Sequence, residues 1–458
     1  MSRYGSAFYQ TILPAWETGI RRRPTLSYLD KLEESQWLDR DRLLELQAME
    51  LRKLIHHAFN HVPHYRAVME KAGVVPSDIR SAADLRRLPI LTKNSAHAAG
   101  SLRASTVEPF PTIKKSTGGS TGQPLQFGYD PNSEYWRIAV KLRGWGWSGY
   151  RPGERMIYFW GPPPGTQPPL KKRLKIGVDR YVRRETYIDC TIRSDQQLAH
   201  VVETIRREKP KGFICFSQSG SDVARYIVEN RLRDWDTIPV LCCGEQLSPQ
   251  ARGLFTQAFG PAVFETYGCR EVMLIGMECE HHNGLHMSME NLVTEVIVRE
   301  GDQERPARPG ETGEVVLTDL HNFGMPFIRY ANGDLATLTE DTACPCGRGL
   351  ARIATVEGRV ADSVRDGNGD LVCGILFSRI FSMSDALAGS VRHWQAIQRK
   401  DRSVTVKLVL LRELDSVSRE DLRRAFERYL KGLPCKIEPV DEIPPAPNGK
   451  RKTVVVEA

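Results

Sequence analysis

No stretch of this sequence approaches the roughly 18 consecutive apolar residues that a membrane-spanning helix needs, so a helical membrane span is excluded. Met1 to Gln10 lacks the basic-then-apolar order of a secretory signal, which places the chain in the cytoplasm with its thiols reduced. The ten cysteines lack the regular spacing of a small disulfide scaffold. Internal repeats and low-complexity tracts are missing, and so is the Gly-Lys-Ser/Thr of a Walker A loop. Charge of one sign is also scarce. The 64 basic residues stand against 56 acidic ones, a net of +8, without the dense basic face or fold motif of a nucleic-acid binder. The excess suits an anionic small substrate such as a nucleotide, and equally suits plain solubility.

What remains is ordinary globular composition: 41% hydrophobic and 26% charged residues over 458 positions, enough for two or three domains with a large core. Asp41 to His57 carries Leu43, Leu44, Leu46, Leu51, Leu54 and Ile55 at helical spacing. His64 to Lys71 reads as a second helix, preceded by Pro63 and closed by Gly73. Residues 1–100 therefore read as a mostly helical subregion. Further on, the buried-strand runs Gly212 to Cys215 and Pro239 to Cys242 alternate with helical Asp195 to Glu208 and Ser248 to Phe259. That alternation predicts an α/β body with a mostly parallel sheet, turning more purely β from Thr312 to Leu320. Toward the end, Ser403 to Leu410 alternates as a strand, Arg365 to Asp370 is turn-rich, and Ser418 can cap a helix bearing Leu422, Phe426, Tyr429 and Leu430 on one face. A small α+β unit is predicted there, giving domains 1–357 and 358–458.

Five segments carry chemistry. Lys115 to Pro124 contains Ser116, Thr117, Gly118, Gly119, Ser120, Thr121 and Gly122, whose hydroxyls and bare N–H groups suit phosphate oxygens, or else form a flexible surface loop. Between Val240 and Glu271 lie Gly244 and Glu245 after a strand, then Tyr267, Gly268 and Glu271. A tyrosine can stack on a purine and a glutamate can hold Mg²⁺, or the two are a core aromatic and a solvated acid. Asp334 sits at the tight turn Asn332-Gly333-Asp334, able to accept from two ribose hydroxyls or simply to close a hairpin. Glu357 to Asp362 contains Arg359. Pro444 to Lys450 is a proline-stiffened loop ending in a cation, or a disordered tail.

In this order, the five segments resemble the adenylate-forming superfamily of acyl-CoA ligases, nonribosomal adenylation domains and luciferases. Asn60-His61-Val62-Pro63-His64-Tyr65-Arg66, Gly284-Leu285-His286 and Cys344-Pro345-Cys346-Gly347-Arg348 are closest to the phenylacetate–CoA ligase branch, including its capsule-biosynthesis relatives. The resemblance implies a large multi-sheet adenylation domain and a small mobile C-terminal one. It implies ATP and Mg²⁺ as cofactors, a carboxylic acid as substrate, and transfer of the acyl group to CoA. Amine, sugar or carrier-protein acceptors, AMP transfer to another acceptor, and an inactive pathway scaffold are the competing readings. By the same resemblance Ser116 to Gly122 hold phosphates, and Gly244, Glu245, Tyr267 and Gly268 surround the adenine. Glu271 ligates Mg²⁺, Asp334 and Arg359 bind ribose, Asp362 is the hinge, and Lys450 reaches in for adenylation. The chain departs from the common pattern in three places: no lysine follows Pro124, Ala331-Asn332 replaces Arg-Thr before Gly-Asp, and Ala361 replaces an acid before Asp362.

Cys279, His286, Cys344 and Cys346 form a candidate Cys₃His set for structural Zn²⁺, with His281 and His282 as alternative ligands and free buried thiols as the plain alternative. The basic run Lys171 to Arg184 reads first as a solvated face and second as an attractor of CoA phosphates or an acidic carrier protein. Trp145, Trp147, Tyr158, Phe159 and Trp160 read as core, or as an acyl-pocket lining. His61, His64, His200 and His393 show no partner pattern. Neither the acid nor the oligomeric state is written in the sequence.

Overall fold

The computed structural model describes residues 8–107, 112–116, 125–161, 169–300, 303–340, 343–359, 363–368, 371–373, 377, 380, 390–444 and 451–457. Thr117 to Gly122, Asp362 and Lys450 lie outside the described residues. The chain opens with helices α1 (Thr25–Ser35), α2 (Arg40–His61), α3 (Pro63–Ala72) and α4 (Lys93–Ala99). It continues through β1 (Ile113–Ser116), β2 (Gln126–Tyr129), α5 (Pro131–Gly146), β3 (Met156–Trp160), α6 (Leu170–Arg183), β4 (Glu185–Asp189), α7 (Asp195–Glu208), β5 (Gly212–Phe216), α8 (Ser217–Glu229), β6 (Val240–Cys243) and α9 (Pro249–Phe259). The β-rich half follows with β7 (Val263–Cys269), β8 (Met273–Glu278), β9 (Leu285–Met287), β10 (Leu292–Glu300), β11 (Gln303–Pro306), β12 (Thr312–Asp319), β13 (Tyr330–Leu338) and β14 (Arg352–Arg359). The end comprises β15 (Ser363–Arg365), β16 (Leu371–Cys373), β17 (Val391–Gln398), β18 (Val404–Leu410), α10 (Ser416–Tyr429), β19 (Cys435–Pro439) and β20 (Val454–Val456).

The N-terminal helices form where predicted, for local reasons. Asp39 caps α2 by accepting from the Arg42 N–H at 2.8 Å, and Pro63 starts α3 after extended Val62. Gly73 ends α3 at φ 64°, in the left-handed region. Leu43, Leu51, Leu54 and Ile55 are fully buried, whereas Leu44 is exposed. Buried Gln47 locks α2 to the body by donating to the carbonyls of Met289 and Leu292 at 3.1 and 2.8 Å.

Among the described residues one 12-stranded sheet runs β11-β10-β12-β13-β14-β9-β8-β7-β6-β5-β3-β4. From β4 to β7 the four pairings are parallel, as the strand–helix alternation predicted, but the seven from β7 onward are antiparallel, so the sheet is not mostly parallel as expected. The parallel strands are apolar on both faces because helices cover both. Ile157, Phe159, Phe213, Cys215, Val240 and Cys242 pack with Val201 and Ile205 of α7 and Phe255 and Phe259 of α9. Trp145, Trp147, Tyr158 and Phe159 are buried in this body, which favours the packing reading of that aromatic cluster. No helix among the described residues is long and apolar enough to cross a membrane.

A separate four-stranded sheet, β19-β18-β17-β20, packs against α10 through Val406, Leu408, Leu422, Phe426 and Leu430. Two details correct the sequence reading. Asp415, not Ser418, caps α10, and it accepts from the Ser418 N–H at 2.7 Å. Tyr429 turns to solvent while Leu430 is buried, because 3.6 residues per turn cannot hold adjacent positions equally on one face.

Inside the body, Arg137 of α5 and Asp319 at the end of β12 pair at full burial, and the Arg137 guanidinium also lies 4.0 Å from the Tyr129 ring centroid. Asp319→Ala leaves that guanidinium buried without its counter-charge. A loss of about 3–5 kcal/mol is expected, read as a lower denaturant midpoint for the large-body transition.

Candidate active site

The sheet changes from parallel to antiparallel at β7, and in open α/β sheets ligands bind beyond the carboxyl ends of the strands. Gly244 and Glu245 follow the carboxyl end of β6. Gly244 has φ 71°, and the Glu245 carboxylate accepts from the Gln218 N–H in the first turn of α8 at 3.0 Å. Tyr267 and Gly268 lie in the last residues of β7. A Cβ at Gly268 would stand 2.2 Å from the Met273 carbonyl oxygen, so only glycine allows β7 and β8 to approach there.

Asp334 is brought to the same place by register. β13 and β14 pair Asp334 opposite Arg359, and the Arg359 Nε lies 3.3 Å from Asp334 Oδ1. The Tyr267 hydroxyl donates to Asp334 Oδ2 at 2.9 Å. Burial, reinforced by the Asp334 charge, holds that hydroxyl far above its ordinary pKa, so it stays protonated and donates. The Asn332 amide donates to the Tyr267 hydroxyl at 2.9 Å and to Asp334 Oδ2 at 2.6 Å, while its carbonyl oxygen accepts from the Asp334 N–H at 3.0 Å. Asn332-Gly333-Asp334 is therefore not the hairpin turn the sequence offered: it lies within β13, where the register against β12 shifts and Gly333 takes φ 82°. It builds a polar cluster from two strands that are distant in sequence.

Glu271 follows β7 and is buried. Its carboxylate accepts from the Tyr330 hydroxyl at 3.1 Å. The root of the glycine-rich segment connects to this neighbourhood. Ser116 pairs with Gln126 across the β1–β2 hairpin, and the Gln126 carbonyl accepts from buried Arg103, whose guanidinium lies 5.1 Å from the Phe327 ring centroid.

The C-terminal unit meets the body at Asp222 of α8. This carboxylate, 3% exposed, lies 3.0 Å from Arg193 of the body. From the small unit it faces Arg451 at 3.5 Å, His393 at 3.4 Å and Arg392 at 3.8 Å. Burial alone would raise the Asp222 pKa, but His393, Arg451 and Arg193 outweigh it and hold the acid well below the usual carboxylate range. Arg451 Nε also donates to the Ile443 carbonyl at 2.9 Å. Residues 443 and 451 are thus joined to each other, and Arg451 faces the helix whose first turn holds Glu245.

Cys279, His286, Cys344 and Cys346 converge, with one ligand atom from each lying within 4.8 Å of the others. The Cys279 and Cys344 sulfurs are 3.7 Å apart, and Cys346 Sγ is 3.4 Å from His286 Nε2. His286 Nδ1 faces the Leu350 carbonyl at 3.4 Å, which leaves Nε2 turned toward the thiols. Burial lowers the His286 pKa to about 4, so the imidazole is neutral. His282 instead faces Glu278 at 3.1 Å, outside the cluster. The donor set and its closure fit a structural Zn²⁺.

With this geometry in view, the similarities to known proteins become informative. No protein-family profile matches the sequence. The phenylacetate-coenzyme A ligase of Thermus thermophilus is 26% identical over 380 residues, 80% of this chain and 81% of its own. The phenylacetate-coenzyme A ligase of Aromatoleum evansii is 28% identical over 345 residues, 72% and 73% of the two chains. The chain is phenylacetate–CoA ligase-like. A solved structure of 2-hydroxyisobutyryl-CoA ligase in the postadenylation state, in complex with R3-HIB-AMP, superposes with TM-score 0.74 at 18% identity, covering 92% of this chain and 91% of that one. The adenylate-forming fold expected from the five motifs is therefore the fold of this phenylacetate–CoA ligase-like chain.

Three functional candidates escaped the sequence reading. Asn332 was visible only as a departure from a common motif. Asp222 and His393 are 171 positions apart, and no spacing rule joins them. Asn332→Ala removes the two donors shared by Tyr267 and Asp334. An approximately tenfold weakening of ATP binding is expected, from about 1.4 kcal/mol of lost hydrogen bonding. Calorimetric titration measures it, and unchanged affinity would detach Asn332 from nucleotide binding.

Proposed function

We propose that the chain activates a carboxylic acid with ATP and then transfers the acyl group to CoA. The observation that carries this reading is the convergence of Tyr267, Asn332, Asp334 and Arg359 from β7, β13 and β14, with Glu271 just after β7. In the first step a carboxylate oxygen bonds to the α-phosphorus of ATP, and the bond to the departing pyrophosphate breaks. In the second, the CoA sulfur bonds to the acyl carbon, AMP leaves and the thiol proton is released.

Asp334 accepts from the ribose hydroxyls with Arg359 beside it, and the Tyr267 ring lies against the purine while its hydroxyl steadies Asp334. Gly244, Glu245 and Gly268 shape the adenine side. Ser116 with residues 117–122 surrounds the phosphates. Glu271 would hold Mg²⁺, which would supply neutralisation of the charge on the phosphoryl oxygens. Residues 1–357 form the body and 358–458 the moving unit, with Asp362 as the hinge. Lys450 stabilises charge in the adenylation step and withdraws for the second. Asp222 positions that lysine by holding Arg451, its immediate neighbour. A cytoplasmic setting, where thiols stay reduced, fits this assignment. In the Cys279, His286, Cys344 and Cys346 site, Zn²⁺ serves as a staple. Arg348 in the same loop packs on Trp37 and Trp147 and bonds Gln36, so the staple also fixes the start of the helical subregion.

ATP–pyrophosphate exchange against aryl, arylacetic, short-chain, long-chain and amino acids tests the reading, with exchange expected for one class and AMP plus thioester appearing when CoA is added. Lys450→Ala should lose exchange by about a hundredfold or more, the scale of a removed charge-stabilising group, while thioester formation from supplied acyl-adenylate survives. Asp222→Ala should show the same split more weakly. Equal loss of both half-reactions would sink the assignment of both residues. For the staple, metal analysis of protein purified without added zinc should find about one equivalent. Cys344→Ser with Cys346→Ser should lose it and lower the melting temperature; protein that is metal-free after gentle purification ends the zinc proposal.

A further inference from the structure

Helix α6 is amphipathic, but it is turned inside out. Its inward face is ionic. Asp179 accepts from Trp16 Nε1 at 3.0 Å, Arg21 at 2.8 Å and Arg23 at 2.9 Å, and Arg183 donates to buried Glu17 at 2.9 Å. Its outward face is apolar. Leu170, Leu174, Val178 and Tyr181 follow at spacings of four, four and three, so they align on one stripe, and they are 68%, 62%, 49% and 85% exposed. At 100° per residue, Lys171 and Lys175 flank one edge of that stripe, and Arg173 and Arg180 flank the other. No residue of the helix is buried. The basic run is therefore not merely a solvated face, because its cations border exposed apolar side chains.

We infer that α6 docks the protein on an anionic lipid surface, lying flat with Leu170, Leu174, Val178 and Tyr181 inserted at the headgroup–acyl boundary. Charge complementarity chooses the occupant. A second copy of this helix would bring cations against cations along both edges of the stripe. An apolar surface rimmed by anions is what the stripe and its borders match. In an anionic leaflet the apolar stripe enters the boundary, while the long Lys and Arg stems extend sideways and place their charges among phosphates. Tyr181 suits the same depth, with an apolar ring and a polar tip. The ion pairs on the inward face hold the stripe outward before any membrane is met. This inference is independent of the catalytic reading, since α6 lies outside the residues assigned to the cleft.

Vesicle co-sedimentation of the full chain tests it, using phosphatidylcholine vesicles with and without phosphatidylglycerol. Binding is expected only with phosphatidylglycerol and should weaken as salt rises. Leu174→Asp with Tyr181→Asp, and separately Lys171→Glu with Lys175→Glu, should each reduce partitioning about tenfold or more. All four positions are exposed, so the circular dichroism spectrum and the melting temperature should stay at wild-type values. Failure of the wild-type chain to sediment with phosphatidylglycerol vesicles overturns the proposal. So does full retention of binding by the double-aspartate variant. Concentration-dependent dimerisation abolished by the same substitutions, or capture of an acidic acyl-carrier protein through them without vesicle binding, overturns it in favour of a protein partner.

Discussion

The position of β7 in the sheet is the constraint on which the rest of the structure depends. It pairs in parallel with β6 on one side and antiparallel with β8 on the other. Parallel strands point their carboxyl ends the same way, so Glu245 and Tyr267 emerge at one rim of the sheet. The antiparallel half returns Asp334 to that rim through β13, and the β13–β14 register sets Arg359 beside it. A slip of one residue in that register would reverse which side chains face the rim and move Arg359 away from Asp334. The geometry of the candidate site is therefore a consequence of strand pairing more than of any loop.

How much of this was legible in sequence follows from the same distinction. Local signals survived well: Pro63 and Gly73 bounded α3, and the strand–helix alternation predicted the parallel half. Ordered motifs also pointed to Gly244, Glu245, Tyr267 and Asp334, which the fold gathers at one rim. Neighbours across strands were not legible. Asn332 is a common turn residue until the fold carries Tyr267 to it. The Asp222 cluster joins α8 to β17 and to Arg451, and such pairings have no period in the sequence. The Ser418 error is smaller and local. Asp415, three residues before Ser418, takes the position because its carboxylate reaches the Ser418 N–H.

At Asp222 the proposed motion of the small unit meets a buried charge. A carboxylate at 3% exposure is costly unless paired. Arg193 supplies one partner from the body itself, so the acid would not be stranded in the proposed departure of the small unit. Arg392, His393 and Arg451 add attraction only when the small unit is docked. Breaking the contact then loses part of the pairing and leaves the rest, with water taking the vacated sites. A junction built on apolar packing alone would hold the units with less dependence on the placement of one loop.

Helix α6 raises the opposite question, of why apolar side chains are left outside. Burying Leu170, Leu174 and Val178 by rolling the helix would gain roughly 1.5–3 kcal/mol each. The same roll would strip buried Glu17 of Arg183 and part Asp179 from three donors. Glu17 would keep Arg23 at 3.5 Å, so the loss is four hydrogen bonds to charged groups, each worth about 1.5–3 kcal/mol. Those losses sum to at least as much as the gain, so the inward ionic face wins. The outward stripe is thus held in place by interactions it takes no part in, and its sequence is free to match what lies beyond the protein.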